Sequence, residues 1–337
     1  MNAAAKPFDG MNKYIRITDI DESSSLYRGD EIVSPDGKLE ECYLVKENDI
    51  LLARTGASTG KSYLYRNSDG ILYFAGFLIR ANIEKHNPLF VFSQLHTHKY
   101  WKWVSIMSTR SGQPGINSQE FASFPIYTTS IQEENKIAHF LKLLDERIAT
   151  QNKIIKQLQS LIKGIVVSVT IEKLNTRIDK CLVCHSSTLQ ENQIEEFGDF
   201  PVYGANGICG YTDNADFEES AILIVKDGSG VGNVRFVNGK YSVIGTQNIL
   251  TPKNRFFLKY IFYCLQAFNF MPYKTGMAIP HIYFKDYGKA KIYCPNFEQQ
   301  VKIASQIDLI ESKIEIETQL LNKYGEQKKF LLSNMFI

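Results

Sequence analysis

The sequence is first informative through what it lacks. Within its 337 residues no apolar run approaches the roughly 18 residues of a membrane-spanning helix. The opening Met1-Asn2-Ala3-Ala4-Ala5-Lys6-Pro7 leads into no apolar signal segment. Cysteine is sparse, six residues without framework spacing, which argues against a disulfide-stapled secreted domain and for a reducing cytoplasm. A strong charge of either sign is also missing. The net charge is +2, so the total does not announce a nucleic-acid partner. What remains is ordinary globular composition, 44% hydrophobic and 22% charged, with length for about two domains at roughly 150 residues each.

The distribution of charge says more than its sum. Residues 1–50 hold 6 Lys and Arg against 11 Asp and Glu, and residues 51–130 hold 8 against 3. Residues 176–219 hold 2 against 9, and residues 220–294 hold 10 against 2. An acidic stretch followed by a basic one therefore occurs twice.

Motifs repeat in the same way. Asp49-Ile50-Leu51-Leu52-Ala53-Arg54-Thr55-Gly56 and Ala221-Ile222-Leu223-Ile224-Val225-Lys226-Asp227-Gly228 superpose at a shift of 172. Each is an apolar strand-like run that ends in a basic residue and a glycine loop. Tyr63–Arg66 and Ile71–Phe74 flank Asn67–Gly70, while Val234–Val237 and Tyr241–Ile244 flank Asn238-Gly239. Both are expected to be hairpins. An aromatic helix is expected next in each copy, over Phe90–Trp103 and over Phe256, Phe257, Tyr260, Cys264 and Phe268. A polar loop closes each unit, Arg110–Asn117 and Lys274–His281.

Each copy then ends in a long amphipathic helix, the second following the first at a shift of 166. One seam runs Ile137, Leu141, Leu144, Ile148, Gln151, Ile155, Leu158 and Ile162. The other runs Ile303, Ile307, Ile310, Ile314, Glu317, Leu321, Tyr324, Lys328 and Leu331. This alternating 4-3 spacing is that of a coiled coil, and its polar breaks Gln151 and Glu317 coincide at the same shift. A stripe of this length needs a partner, and the other copy supplies one.

The ordered set resembles the specificity subunit of Type I restriction-modification systems. Carrying the likeness are the Pro125-Ile126-Tyr127 and Lys291-Ile292-Tyr293 strands and the helix starts at Ile131–Ala138 and Phe297–Ala304. The loops Thr109–Asn117 and Thr275–His281 and the segment Leu141–Ile148 belong to the same pattern. The resemblance implies an α/β (α+β) fold of two target-recognition domains and two long antiparallel coiled-coil helices, with a pseudo-twofold internal repeat. On that basis the domains are 1–130, a spacer helix 131–173, 174–296, and a distal helix 297–337. The family usually begins some tens of residues earlier, so the first domain is expected to lack its normal start. The implied function is recognition of a split sequence in double-stranded DNA, with two methyltransferase subunits and motor-endonuclease subunits as partners. S-adenosylmethionine, ATP and Mg are expected on those partners, and no cofactor, metal or catalysis on this chain. The alternative is a truncated or silent scaffold that binds proteins without reading DNA.

Phosphate contacts need cations, hydroxyls and close backbone. Arg54, Thr55, Ser58 and Lys61 supply them in the first unit, and Lys226, Ser229, Asn233 and Arg235 in the second. Base edges need forked or amide side chains. The candidates are Arg110, Gln113 and Asn117, then Tyr273, Lys274, Thr275 and His281. Exposed faces at Gln132, Glu133, Lys136, Glu298, Gln299 and Lys302 are candidates for docking partners. The enzyme motifs fail in detail. Gly56–Ser62 has three residues between its glycines where a nucleotide loop needs four. Gly228-x-Gly230-x-Gly232 has the wrong spacing for a dinucleotide turn. Cys181-x-x-Cys184-His185 is expected to be two thiols of one strand. Asn87-Pro88-Leu89-Phe90 lacks the second proline of an amino-methyltransferase motif and is expected to cap a helix.

Overall fold

The computed structural model describes residues 1–337 apart from Asn2, Ser23, 110–113, 171–173, Ser229, 277–278 and Ile337. Two compact units emerge: Met1–Gln151 with Leu320–Ile337, and Asn152–Gln319.

Unit 1 contains β1 (Ala4–Pro7), β2 (Lys13–Ile15), β3 (Val33–Asp36), β4 (Asp49–Ala53), β5 (Ser62–Leu64), β6 (Leu72–Phe74) and β7 (Leu78–Asn82). The sheet order is β5-β4-β7, all antiparallel. β1 pairs antiparallel with β3, and β2 pairs parallel with β6. Every residue of β4 is buried, and strand alternation divides its side chains between two cores. Ile50 and Leu52 meet the helical layer at Phe90 and Val91. Leu51 and Ala53 meet Ile15, Tyr63 and Leu72. The helical layer is α1 (Pro88–Gln94), α2 (His98–Met107) and α3 (Ser118–Ala122), followed by α4 (Ile131–Thr170). Asn87 caps α1 through the Leu89 and Phe90 N–H groups, with Pro88 at the first position.

Unit 2 follows with β8 (Thr176–Arg177), α5 (Ile178–Cys181), β9 (Leu182–Ser186), β10 (Phe200–Gly204), β11 (Gly207–Thr212), β12 (Ala221–Val225) and β13 (Val234–Val237). Then come β14 (Ser242–Val243), β15 (Gln247–Pro252), α6 (Leu258–Gln266), α7 (Phe284–Tyr287), β16 (Lys291–Ile292) and α8 (Phe297–Asn334). β12 is as buried as β4 and sits in an antiparallel sheet of order β13-β12-β15-β9. Its side chains alternate likewise, Ile222 and Ile224 toward α6, Ala221 and Leu223 toward Val237, Tyr241 and Val243.

Several local expectations are corrected. Neither expected hairpin forms. β5 pairs with β4, while β6 turns away to pair with β2. β13 pairs with β12, while β14 turns away to pair with β10. In both units the glycine loop is the hairpin connection. The Asn-rich turns lead out of the sheet, because Leu72, Phe74 and Val243 gain burial in a second layer. The first aromatic helix is broken at Leu95, and Thr97 caps α2. Phe256, Phe257 and Phe268 flank α6 instead of lying within it. Cys181 ends α5 and only Cys184 lies in a strand. Lys291-Ile292 pairs with β8, but no strand accompanies Pro125–Tyr127 among the described residues. There Gln94 holds Tyr127 instead, donating to its carbonyl (2.9 Å) and accepting from its N–H (2.7 Å).

The long helices pair within each unit, and their seams face inward. In unit 1 the start of α4, at Ala138 and Leu141, packs on Leu332 and Phe336 near the end of α8. In unit 2 the other end of α4, at Ile162 and Val166, packs on Ile303, Ala304 and Ile307. Within unit 1, Leu141 clusters with Leu332 and Asp145 meets Lys328, so the two helices run antiparallel there. Leu144 is buried, and Ile148, Ile155, Leu158, Ile310, Ile314 and Leu321 are half-buried. Gln151 and Glu317 are both buried polar residues of the seam. Lys328 forms an ion pair with Asp145.

Candidate nucleic-acid interface

In each unit the glycine loop and the late polar loop are joined by backbone hydrogen bonds at repeat-equivalent positions. In unit 1 the Gly56 N–H donates to the Pro114 carbonyl (2.9 Å), and the Ile116 N–H donates to the Arg54 carbonyl (2.9 Å). In unit 2 the Gly228 N–H donates to the Pro280 carbonyl (3.0 Å), and the Ile282 N–H to the Lys226 carbonyl (2.9 Å). Thr55 thereby faces Gly115, and Asp227 faces His281. Each loop is closed at its base as well. Gly60 N–H donates to the Ala53 carbonyl and Gly232 N–H to the Val225 carbonyl, both at 2.9 Å.

These loops depend on glycine. Gly60 has φ +90, and a Cβ there would lie 2.7 Å from Val104 Cγ1. Gly232 has φ +93, and its Cβ would lie 3.2 Å from the Cβ of Phe270. Both conformations are costly for any residue with a side chain. Tyr100 adds a hydrogen bond from its hydroxyl to the Gly60 carbonyl (2.8 Å). Ile116 and Ile282 anchor the late loops in the cores beneath.

The candidate contacts distribute over these junctions as follows. Arg54 is exposed, and Thr55 and Ser58 are half-exposed beside it. Lys61 pairs with Glu22 at 3.4 Å, an exposed contact easily exchanged for another anion. Asn117 is exposed but caps α3. Its Oδ1 accepts from the Glu120 N–H at 2.9 Å, and Glu120 returns a bond to the Asn117 N–H at 2.7 Å. That leaves its amide group without the free oxygen that a bidentate adenine contact needs. In unit 2 Lys226 is half-exposed and Asn233 exposed. Arg235 leans over the Tyr203 ring at 6.0 Å and fills the space beside Gly207. Lys274 and Thr275 are exposed, whereas Tyr273 stacks on Phe268 as part of the core edge. Arg110, Gln113 and Ser229 lie outside the described residues.

The sequence patterns do not single out the residues that hold the starts of α1 and α6 to the long helices. Glu134 and Gln300, repeat-equivalent on α4 and α8, are fully buried. Glu134 accepts from the Asn87 N–H (2.9 Å) and lies 2.8 Å from His86 Nδ1. Burial alone would raise its pKa. The Asn87 N–H, the His86 ring and the Thr129 N–H outweigh that and hold the carboxyl below its ordinary value. Gln300 does the same work uncharged, accepting from the Phe257 N–H (2.9 Å) and donating to the Pro295 carbonyl (2.8 Å). A polar residue breaking an apolar pattern three places before a seam position was the available signal. Among the described residues no group of three His, Cys, Asp or Glu could hold a metal ion, and no helix is long and apolar enough to cross a membrane.

The profile of the Type I restriction modification DNA specificity domain matches residues 1–160 and 183–323. The chain belongs to this specificity-domain family. It is similar to the Type I restriction enzyme EcoprrI specificity subunit of Escherichia coli, 26% identical over 114 residues, 34% of this chain and 28% of that protein. It is also similar to a putative type I specificity subunit of Mycoplasma genitalium, 24% identical over 239 residues, 62% of this chain and 61% of that protein. The matches thus span less than two thirds of either relative. Among solved structures, the Type I S subunit from M. genitalium superposes over 99% of this chain and 90% of that one, with a TM-score of 0.64 at 16% identity. A chain from a structure of type I system assembly and conformational transition superposes over 98% of this chain and 94% of that one, with a TM-score of 0.58 at 15% identity. Likeness at such identity concerns the fold. Each matched segment contains one of the two loop junctions, and α4 begins within the first segment and runs past its end.

Proposed function

We propose that the chain is the DNA-reading, non-catalytic subunit of a Type I restriction-modification complex, working in the cytoplasm on double-stranded DNA. The observation that supports this is the pair of junctions. The same backbone bonds present different exposed side chains in the two units, as two readers of unlike half-sequences require. Arg54 and Lys226 approach phosphates at the loop mouths, and the late loops carry the base-contacting side chains. The helices α4 and α8 act as the ruler. At ~1.5 Å per residue, 40 helical residues extend about 60 Å, enough to set a gap of about one duplex turn between the half-sequences. Two methyltransferase subunits dock on the exposed helix starts, at Gln132, Glu133 and Lys136 and at Glu298, Gln299 and Lys302. Motor-endonuclease subunits join them, and S-adenosylmethionine, ATP and Mg are bound by these partners.

The test is a methylome. The chain is expressed with its methyltransferase subunit in a methylation-free host, and modified adenines are mapped by single-molecule sequencing. A gapped motif with two unlike halves is expected. Matched heptad insertions in both helices are expected to lengthen the gap and leave the halves unchanged. A motif without a gap would overturn the ruler. No methylation, with a full-length control active, would leave a protein scaffold that does not read DNA.

A further inference from the structure

The two junctions differ most where the loops face each other. Residues 220–294 hold ten Lys and Arg and two carboxylates, Asp227 and Asp286. One of those two stands inside the junction of unit 2. Asp227 is half-buried, and among the described residues no group donates to its carboxylate. His281 lies directly opposite in an antiparallel bridge. The flanking bonds, Gly228 to Pro280 and Ile282 to Lys226, make this the wide type of pair. Such partners have Cα atoms about 4.5 Å apart and side chains on one face.

The imidazole is oriented by its surroundings. His281 Nδ1 lies 3.1 Å from the Ile279 carbonyl, an acceptor, so Nδ1 carries the proton. The ring rests on Gly276, where a Cβ would lie 3.0 Å from Cε1. Tyr283 meets it edge-on at 5.2 Å. In the neutral ring Nε2 is therefore an acceptor, and it has no partner among the described residues. A hollow of about 290 Å³ opens beside Asp227. Thr246 lines it too, and its buried hydroxyl has no hydrogen-bond partner among the described residues.

Asp227 and His281 offer two acceptors, and the one unpartnered hydroxyl beside them, Thr246, is buried away from an incoming base, so the pair selects strongly. Phosphate oxygens, guanine O6 and N7, and thymine O4 are acceptors and are rejected. Adenine sets its N6 amino group beside N7, so one of the two acceptors would face another acceptor. The cytosine N4 amino group keeps one hydrogen free of the Watson–Crick pair, with no acceptor of its own ring beside it in the major groove, and the two acceptors can share it. We propose that Asp227 and His281 read the N4 amino group of a cytosine in the half-sequence recognised by unit 2. Unit 1 has Thr55 and Gly115 at these positions, and its half-sequence has no counterpart of this contact. This inference rests on the DNA-reading function proposed above.

The wild-type chain, Asp227→Asn and His281→Ala are each co-expressed with the methyltransferase subunit, and the modified adenines are mapped. An amide at 227 donates as readily as it accepts, so thymine O4 becomes acceptable in place of cytosine. Both variants are expected to relax one and the same cytosine, with discrimination there reduced about tenfold. The bases of the other half stay fixed, which shows the complex to be folded. Relaxation at two different positions, or at none, overturns the assignment, as does a wild-type motif with no fixed cytosine in the half that changes. If a variant yields no methylation while the wild type is active, discrimination is read from binding of the purified complex to duplexes substituted at each position, with the same two outcomes. No methylation by the wild type removes the DNA-reading function, and this contact with it.

Discussion

In unit 1 the backbone ahead of α1 is held by the carboxylate of Glu134. In unit 2 the backbone ahead of α6 is held by the amide of Gln300. Both side chains meet one demand, a backbone N–H at the foot of a helix that packs on the central strands of its unit. A carboxylate accepts at both oxygens, and in unit 1 the second oxygen finds His86. An amide accepts at one end and donates at the other, and in unit 2 the Pro295 carbonyl receives that donor. The choice of side chain therefore follows the neighbour on the far side. The backbone scheme is common to both units, while the local electrostatics are not.

Exchanging these residues should break the equivalence. Gln300→Glu sets a carboxylate oxygen against the Pro295 carbonyl, an acceptor that offers it no donor. It should cost about 3–5 kcal/mol, measured as faster hydrogen exchange in peptides of unit 2 while those of unit 1 hold. The glycine positions come next. Gly60→Ala adds a clash with Val104 to a left-handed backbone and should cost about 2–4 kcal/mol. Gly232→Ala, with its looser contact at Phe270, should cost about 1–2 kcal/mol. Equal losses would show that the backbone alone sets the penalty. Both tryptophans, Trp101 and Trp103, lie in unit 1, so fluorescence during denaturation follows Gly60→Ala, and hydrogen exchange in unit 2 peptides follows Gly232→Ala.

Glu134→Gln should cost about 1–3 kcal/mol at neutral pH. It should also change the acid response. The folded-state pKa of Glu134 is depressed, so its stabilisation is present above the ordinary carboxyl value and lost as pH falls through the folded value. Fluorescence-monitored stability of the wild type should decline on acidification below about pH 4.5, and more steeply than that of the variant. Parallel curves would mean that Glu134 does not carry the acid response. The smallest effect is expected at Asn117→Ala, which removes the α3 cap for about 1 kcal/mol. Tyr283, the corresponding residue before α7, makes no side-chain cap, so Tyr283→Ala should leave that helix end unchanged.

Much of this arrangement could be read from the residues. The shift of 172 read from the glycine loops predicts which of their positions correspond, and the shift of 166 read from the long helices also carries Pro114 onto Pro280 in the late loops. The junction bonds fall on those correspondences, Gly56 with Gly228 and Pro114 with Pro280. The seams were legible because a 4-3 stripe has one way to be buried. Strand pairing was not. Asn238-Gly239 favours a tight turn locally, but β14 finds its partner 40 residues back at Val202 and Tyr203, and local propensity does not encode that distance. The junction bonds were equally hidden, since they join backbone to backbone and leave no side-chain signature. Asp227 could have been noticed as a carboxylate in a cationic stretch, but its opposition to His281 exists only in the fold.

The composition of unit 1 bears on the order in which the protein is made. Its core includes Leu332 and Phe336, which leave the ribosome after every residue of unit 2. Unit 2 is one uninterrupted segment, Asn152–Gln319, and has all its parts while the last turns of α8 are still inside the exit tunnel. The first unit to be translated is thus the last to be completed. A frameshift or stop codon shortly after residue 319 would spare the nearer unit and damage the one encoded upstream of it.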